Sequence, residues 1–124
     1  MQRLTRETGT ALIWITHDLS VIAGLADRVS VMYAGRIVEE GSVEEVLAAP
    51  RHPYTRGLLD SVPSNSARGA RLKQIPGMTP SLLGLPPGCA FRERCGRAQS
   101  DCAIAPAMRA LTPTGQSVRC HHPL

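Results

Sequence analysis

The first 88 residues contain no cysteine, and the whole chain has one lysine, one tryptophan and one phenylalanine. With Tyr33 and Tyr54, that makes four aromatic side chains in 124 residues. No apolar run reaches the ~18–20 residues needed to cross a bilayer as a helix. The N-terminal stretch Met1-Gln2-Arg3-Leu4-Thr5-Arg6-Glu7 is polar and has no apolar core, so no secretory signal is read there. Net charge is +4, but the basic residues are scattered, and thirteen of the fourteen are arginine. Without a basic block or interleaved aromatics, no nucleic-acid partner is expected. The chain also lacks a G-x-x-x-x-G-K-[ST] loop to cradle phosphates.

What is present is concentrated at the end. Cys89, Cys95, Cys102 and Cys120 follow the spacing C-x5-C-x6-C-x17-C, among prolines, glycines and arginines. Without an export signal, a reducing compartment is expected, and there four cysteines read as metal ligands before disulfides. Two disulfides in a secreted piece remain the bland alternative. Zinc sites usually bring paired C-x2–4-C knuckles, and bacterial ferredoxins use C-x2-C-x2-C. Neither spacing matches, so the residues alone specify four thiolates around an unspecified soft metal.

The earlier residues carry local structure. Ala11-Leu12-Ile13-Trp14-Ile15-Thr16 predicts a short strand buried on both faces, with His17 at its C-terminal end. Asp18 stands at an N-cap position before an apolar helix over 18–27, expected to be buried. Residues 29–33 and 36–40 predict a hairpin turning at Ala34-Gly35. Ser42-Val43-Glu44-Glu45 is a capping box opening a helix over 43–49 that stops at Pro50. Residues 63–73 read as a polar linker. The stretches 75–80 and 86–88 prescribe turns. Glu39, Glu40, Glu44 and Glu45 are expected to be solvated or capping carboxylates. These elements do not close a core by themselves, so the first half reads as the end of a larger α/β domain.

Three stretches carry a resemblance: residues 11–19, ending Thr16-His17-Asp18-Leu19; Ala26-Asp27-Arg28-Val29; and residues 32–41, through Gly35-Arg36-Ile37-Val38-Glu39-Glu40-Gly41. Together they resemble the C-terminal part of ABC-transporter ATPase domains. Arg51-His52-Pro53-Tyr54-Thr55 looks like the signature opening the C-terminal extension of oligopeptide and dipeptide importer ATPases. The run from Ile75-Pro76-Gly77 through the cysteines to His121 fits the same extension. The resemblance implies a fold class: the α/β C-terminal end of a P-loop ABC ATPase domain over 1–49, then a small irregular cysteine-rich extension over 50–124. It also implies roles. His17 would be the switch histidine contacting the ATP γ-phosphate. Cys89, Cys95, Cys102 and Cys120 would hold a 4Fe–4S cluster, with zinc as the alternative. ATP and Mg²⁺ would belong to the complete protein.

The implied partners are inner-membrane permease subunits, a second ATPase subunit and, indirectly, a periplasmic peptide-binding protein. The implied place is the cytoplasmic face of a bacterial inner membrane, peripherally attached. One charge-assisted contact from His17 is worth ~1.5–3 kcal/mol, whereas millimolar affinity needs about 4 kcal/mol. The chain alone is therefore expected neither to hold nor to hydrolyse ATP. A stand-alone four-cysteine regulatory module and a non-functional remnant are the competing readings. Five arginines between residues 86 and 124 (Arg92, Arg94, Arg97, Arg109, Arg119) are expected to lower the thiol pKa values. His121 and His122 are expected only as supporting neighbours of the ligands.

Overall fold

A computed structural model describes residues 7–62, 73–113 and 115–124. Its best-formed unit is the one that local sequence dictates. Strands β1 (Arg28–Tyr33) and β2 (Arg36–Ser42) pair antiparallel as expected. Ala34 and Gly35 both take positive φ, 48° and 74°. That two-residue turn matches the twist of the flanking strands. The register slips between Val31 and Met32: Val31 faces Glu39, while Met32 faces Ile37. This bulge leaves Val38 as the extra residue and re-aims its neighbours. Val38 and Glu39 are consequently both buried, although they are adjacent.

Helix α1 is a single turn, Leu19–Ile22. Helix α2 (Val43–Ala48) starts on the expected capping box. The Glu45 N–H donates to Ser42 Oγ at 3.1 Å, and the Ser42 N–H donates to Glu45 Oε2 at 3.3 Å. Helix α3 (Pro53–Asp60) follows with Pro53 in its first turn. Two short strands, β3 (Arg109–Ala110) and β4 (Ser117–Val118), complete a four-stranded antiparallel sheet in the order β1-β2-β4-β3. The later residues thus add strands to the free side of the hairpin.

The core forms where the two halves meet. Val31, Tyr33, Val38, Val46 and Phe91 are its buried centre, with Tyr54, Leu58, Ile75, Cys89 and Cys95 packed around it. Tyr33 meets Phe91 edge-on at 5.2 Å between ring centroids, and Tyr54 lies 4.6 Å from Tyr33 and 5.5 Å from Phe91. Such pairs add ~0.5–1.5 kcal/mol each beyond the area they bury. Gly57 lets α3 approach the chain beyond it: a Cβ there would lie 2.7 Å from Ile75 Cγ1.

Several expectations are corrected. Residues 11–16 form no strand: Ile13 is 90% exposed and Ile15 94%. A strand buried on both faces needs ladder partners on both sides, and none of the described residues supplies them. The helix expected over 18–27 shrinks to one turn, with Ile22 buried but Val21 and Leu25 exposed. The hairpin does gain a core, which it takes from residues 54–95. Helix α3 and strands β3 and β4 were not anticipated. The expected linker lies outside the described residues except for Lys73, whose ammonium is 3.8 Å from Asp60 Oδ2.

The acidic residues also divide. Glu45 caps a helix as expected, and Glu44 is exposed. Glu39, by contrast, is 0% exposed. Its Oε1 accepts from the Arg51 N–H at 2.6 Å and from Gln116 Nε2 at 3.2 Å. Its Oε2 accepts from the His52 N–H at 2.9 Å. Gln116 Nε2 also donates to the Ala49 carbonyl at 3.0 Å. One carboxylate therefore ties β2 to the entry of α3 and to the loop before β4. Glu39→Gln replaces one acceptor oxygen by a donor that faces an N–H. The expected cost is about 1–3 kcal/mol, read by urea unfolding. An unchanged midpoint would refute the role of this carboxylate.

Candidate metal centre

Each cysteine is placed by short-range backbone geometry. Cys89 accepts from the Arg92 N–H at 3.0 Å, which starts the 3-10 turn Arg92–Arg94, and the Cys95 N–H closes it onto the Arg92 carbonyl at 3.2 Å. Cys102 sits in a second such turn, Ser100–Ala103. The Cys89 N–H donates to the Cys102 carbonyl at 2.9 Å, joining the two. Gly88 makes this junction possible. Its φ is +99°, and a Cβ would come within 2.6 Å of the Cys102 and Ala103 carbonyl oxygens. Cys120 arrives from elsewhere, two residues after β4.

These four thiols, all free, line a single small cavity. Sequence spacing that fits no standard ligand pattern is thus folded into one convergent site. His52, Phe91, Arg92 and Arg97 complete its walls. Among the described residues, the one trio of ligand atoms lying within 4.8 Å of one another is Asp101, Cys102 and His122. The trio is already satisfied another way: His122 Nε2 lies 2.7 Å from Asp101 Oδ1. The hydrogen bond from His122 holds the Asp101 carboxyl below its usual range.

The arginines do not act as expected. Burial pushes the Cys89 and Cys120 thiols up, and the neighbouring thiols add to this. Arg94 is spent on the carbonyls of Pro76 and Ile75 and on the Tyr33 hydroxyl. Arg119 is spent on the carbonyls of Ile37 and Pro106. Arg109 donates to the His121 carbonyl at 3.3 Å. Only Arg92 and Arg97 of the five remain at the cavity. Buried thiols of this kind become thiolates when a cation takes the place of their protons. His121 and His122 also line the cavity, with one ring nitrogen of each engaged, on the Ile104 carbonyl and on Asp101.

His52 was not anticipated as a site residue, although it sits directly before the helix-starting Pro53. It is 1% exposed, and its Nδ1 accepts from the Tyr54 N–H at 3.0 Å, capping α3. Burial lowers its pKa from 6.5 to about 4. His17 is not part of this assembly: it is exposed and does not line the cavity.

The His52 shift has a pH consequence. The folded pKa lies below the unfolded one, so between pH 6.5 and 4 the unfolded chain binds the extra proton. Stability present above pH 6.5 is then lost as pH falls through that window, by roughly 3 kcal/mol. Asparagine preserves a capping oxygen but cannot titrate. Unfolding midpoints measured from pH 4 to 7 should fall less steeply for His52→Asn than for wild type; parallel curves would refute the assignment.

Comparison with known proteins gives a consistent result. Residues 38–102 match a family model described as the C-terminal region of oligopeptide/dipeptide transporters. All of this chain aligns, at 47% identity over 124 residues, with 37% of the "Oligopeptide transport ATP-binding protein OppD" of Salmonella typhimurium. The OppD of Haemophilus influenzae is 48% identical over 120 residues, which cover 97% of this chain and 37% of that protein. The "Probable D,D-dipeptide transport ATP-binding protein DdpD" of Escherichia coli is 42% identical over 123 residues, 99% of this chain and 38% of that protein. The chain spans little more than a third of the length of these curated relatives.

Proposed function

This chain belongs to the oligopeptide/dipeptide transporter C-terminal family, and from that premise we propose that it is the C-terminal part of the ATP-binding subunit of a short-peptide importer. The observation that carries this is identity of 42–48% along nearly the whole chain to proteins named as peptide-transport ATP-binding subunits. Such whole-length similarity disfavours a stand-alone regulatory module. Residues 1–49 would complete the nucleotide-binding domain, and 50–124 would form the extension. The complete subunit would hold ATP and Mg²⁺ and drive uptake against permease subunits, a second ATPase subunit and a periplasmic peptide-binding protein. It would lie at the cytoplasmic face of the membrane; no helix among the described residues is long and apolar enough to cross one.

His17 would contact the γ-phosphate of ATP there. Its place after the exposed apolar residues 12–15 supports this, because those residues need the neighbouring strands of a complete sheet. Imidazole donates well to a phosphoryl oxygen where charge develops. Without a phosphate loop, the isolated chain should show no ATPase activity above background. Steady turnover by the purified chain, abolished by His17→Ala, would overturn this reading.

Cys89, Cys95, Cys102 and Cys120 would ligate a 4Fe–4S cluster. All four thiols line one cavity, which supports a four-thiolate group, and the family resemblance favours iron–sulfur over zinc. When bound, the group would supply a cross-link between chain segments. Anaerobically purified chain should be brown, with broad visible absorbance that bleaches in air. A colourless preparation containing about one zinc per chain would overturn the assignment.

A further inference from the structure

Three features fix His52 from three directions. Its backbone N–H is held by Glu39 Oε2 at 2.9 Å. Pro53 removes the next backbone donor, so the first amide of α3 in need of a cap is that of Tyr54, and His52 Nδ1 accepts from it at 3.0 Å. The ring rests 5.8 Å from the Phe91 ring. A nitrogen that accepts from an amide carries no proton, so the ring proton is on Nε2. The side chain is 1% exposed and lines the thiol cavity, and Nε2 has no hydrogen-bond partner among the described residues. A donor at the wall of a cavity lined by four thiols has a thiolate sulfur as its natural acceptor.

We propose that His52 is a positioning residue of the metal centre, donating its Nε2–H to the sulfur of a group held by Cys89, Cys95, Cys102 and Cys120. This rests on the four-thiolate assignment above. The donor stabilises negative charge on sulfur, more strongly in the reduced state of an iron–sulfur group, and so raises its potential. It also joins the centre to the sheet, because the residue that touches the sulfur is the residue whose backbone Glu39 clamps. Arg92 and Arg97 line the same cavity, and Arg97 Nη2 donates to the Pro123 carbonyl at 3.5 Å. His121 and His122 each have their Nε2 engaged elsewhere, on the Ile104 carbonyl and on Asp101.

The test uses the full chain reconstituted anaerobically with ferrous iron and sulfide. In His52→Asn the capping oxygen is retained and the Nε2–H is lost, the shorter side-chain amide not reaching the same position. The reduction potential should fall by about 59 mV, a tenfold change in a one-electron equilibrium, and chelator-driven loss of iron should accelerate several-fold. A second measurement needs no substitution at His52. Wild type labelled with ¹⁵N-histidine and reduced should show nitrogen hyperfine coupling to the cluster, and the coupling should persist in the His121→Ala, His122→Ala double variant. A cluster with unchanged potential and release in His52→Asn would overturn the role of His52 and leave the thiolate site standing; so would one with no histidine coupling in the double variant. Wild type that takes up no cluster would overturn the cluster assignment, and this inference with it.

Discussion

The Glu39 carboxylate is fully buried, among the described residues it forms no salt bridge, and the structure is organised around satisfying it. Two backbone amides and one side-chain amide, from Arg51, His52 and Gln116, meet its two oxygens. Charge-assisted bonds from neutral amides are stronger than ordinary ones, and losing any of them leaves a buried charge short of donors. The geometry that allows this begins in the β-bulge. Without the extra residue at Val38, strand alternation would put Val38 and Glu39 on opposite faces, one of them solvated. With it, Val38 enters the apolar core while Glu39 receives the two loops that arrive from outside the hairpin.

The thiol cavity inherits its walls from that arrangement. Val118 pairs with Glu39 across β2 and β4, and the Arg119 N–H donates to the Val38 carbonyl at 2.8 Å. Arg119 then anchors its guanidinium on the Ile37 carbonyl. Cys120 is the next residue, so the fourth thiol is delivered by the strand added to the edge of the hairpin. On the other side, Cys89 and Cys95 pack against the cluster that contains Phe91 and Tyr33. His52 enters between them, located by Glu39. Three segments far apart in the chain thus reach one cavity through contacts with β2 or with the core that β2 helps to build.

This explains which features were legible in the sequence. The hairpin turn at Ala34-Gly35 and the capping box at Ser42 and Glu45 depend on residues within four positions of each other, so local chemistry specifies them. The strand expected over residues 11–16 depends on ladder partners from elsewhere, and its apolar pattern cannot create them. Strands β3 and β4 are two residues each, too short to show periodicity; their existence follows from the open edge of β2. Helix α3 carries an unusual signal, a histidine cap before Pro53, in place of the commoner serine, threonine or aspartate. The acidic pair Glu39-Glu40 reads as solvated, because the bulge that buries Glu39 leaves no mark in composition. For the cysteines, their number and positions were plain, but their convergence is tertiary. The arginines misled because guanidinium charge counts for a thiol only when it faces the thiol, and Arg94, Arg97, Arg109 and Arg119 all donate to backbone carbonyls.

Beyond residue 73 the described residues have little regular structure, yet their turns are specific, and a group held by all four thiols would cross-link them. Residues 73–91 contain no helix or strand, and the two 3-10 turns beyond them are single turns. Short turns of this kind are weak alone. Any group that binds all four thiols closes the loop from Cys89 to Cys120. By the chain-entropy model, a single cross-link over such a span restricts the unfolded state by roughly 3–4 kcal/mol. Because Cys120 is fixed to β2 through β4, that closure acts on the hairpin as well as on the extension. Binding that depends on the folded arrangement stabilises the whole arrangement by mass action. The core, the buried carboxylate and the thiol cavity therefore belong to one cooperative unit. The end of the sheet and the centre beside it should form and fail together.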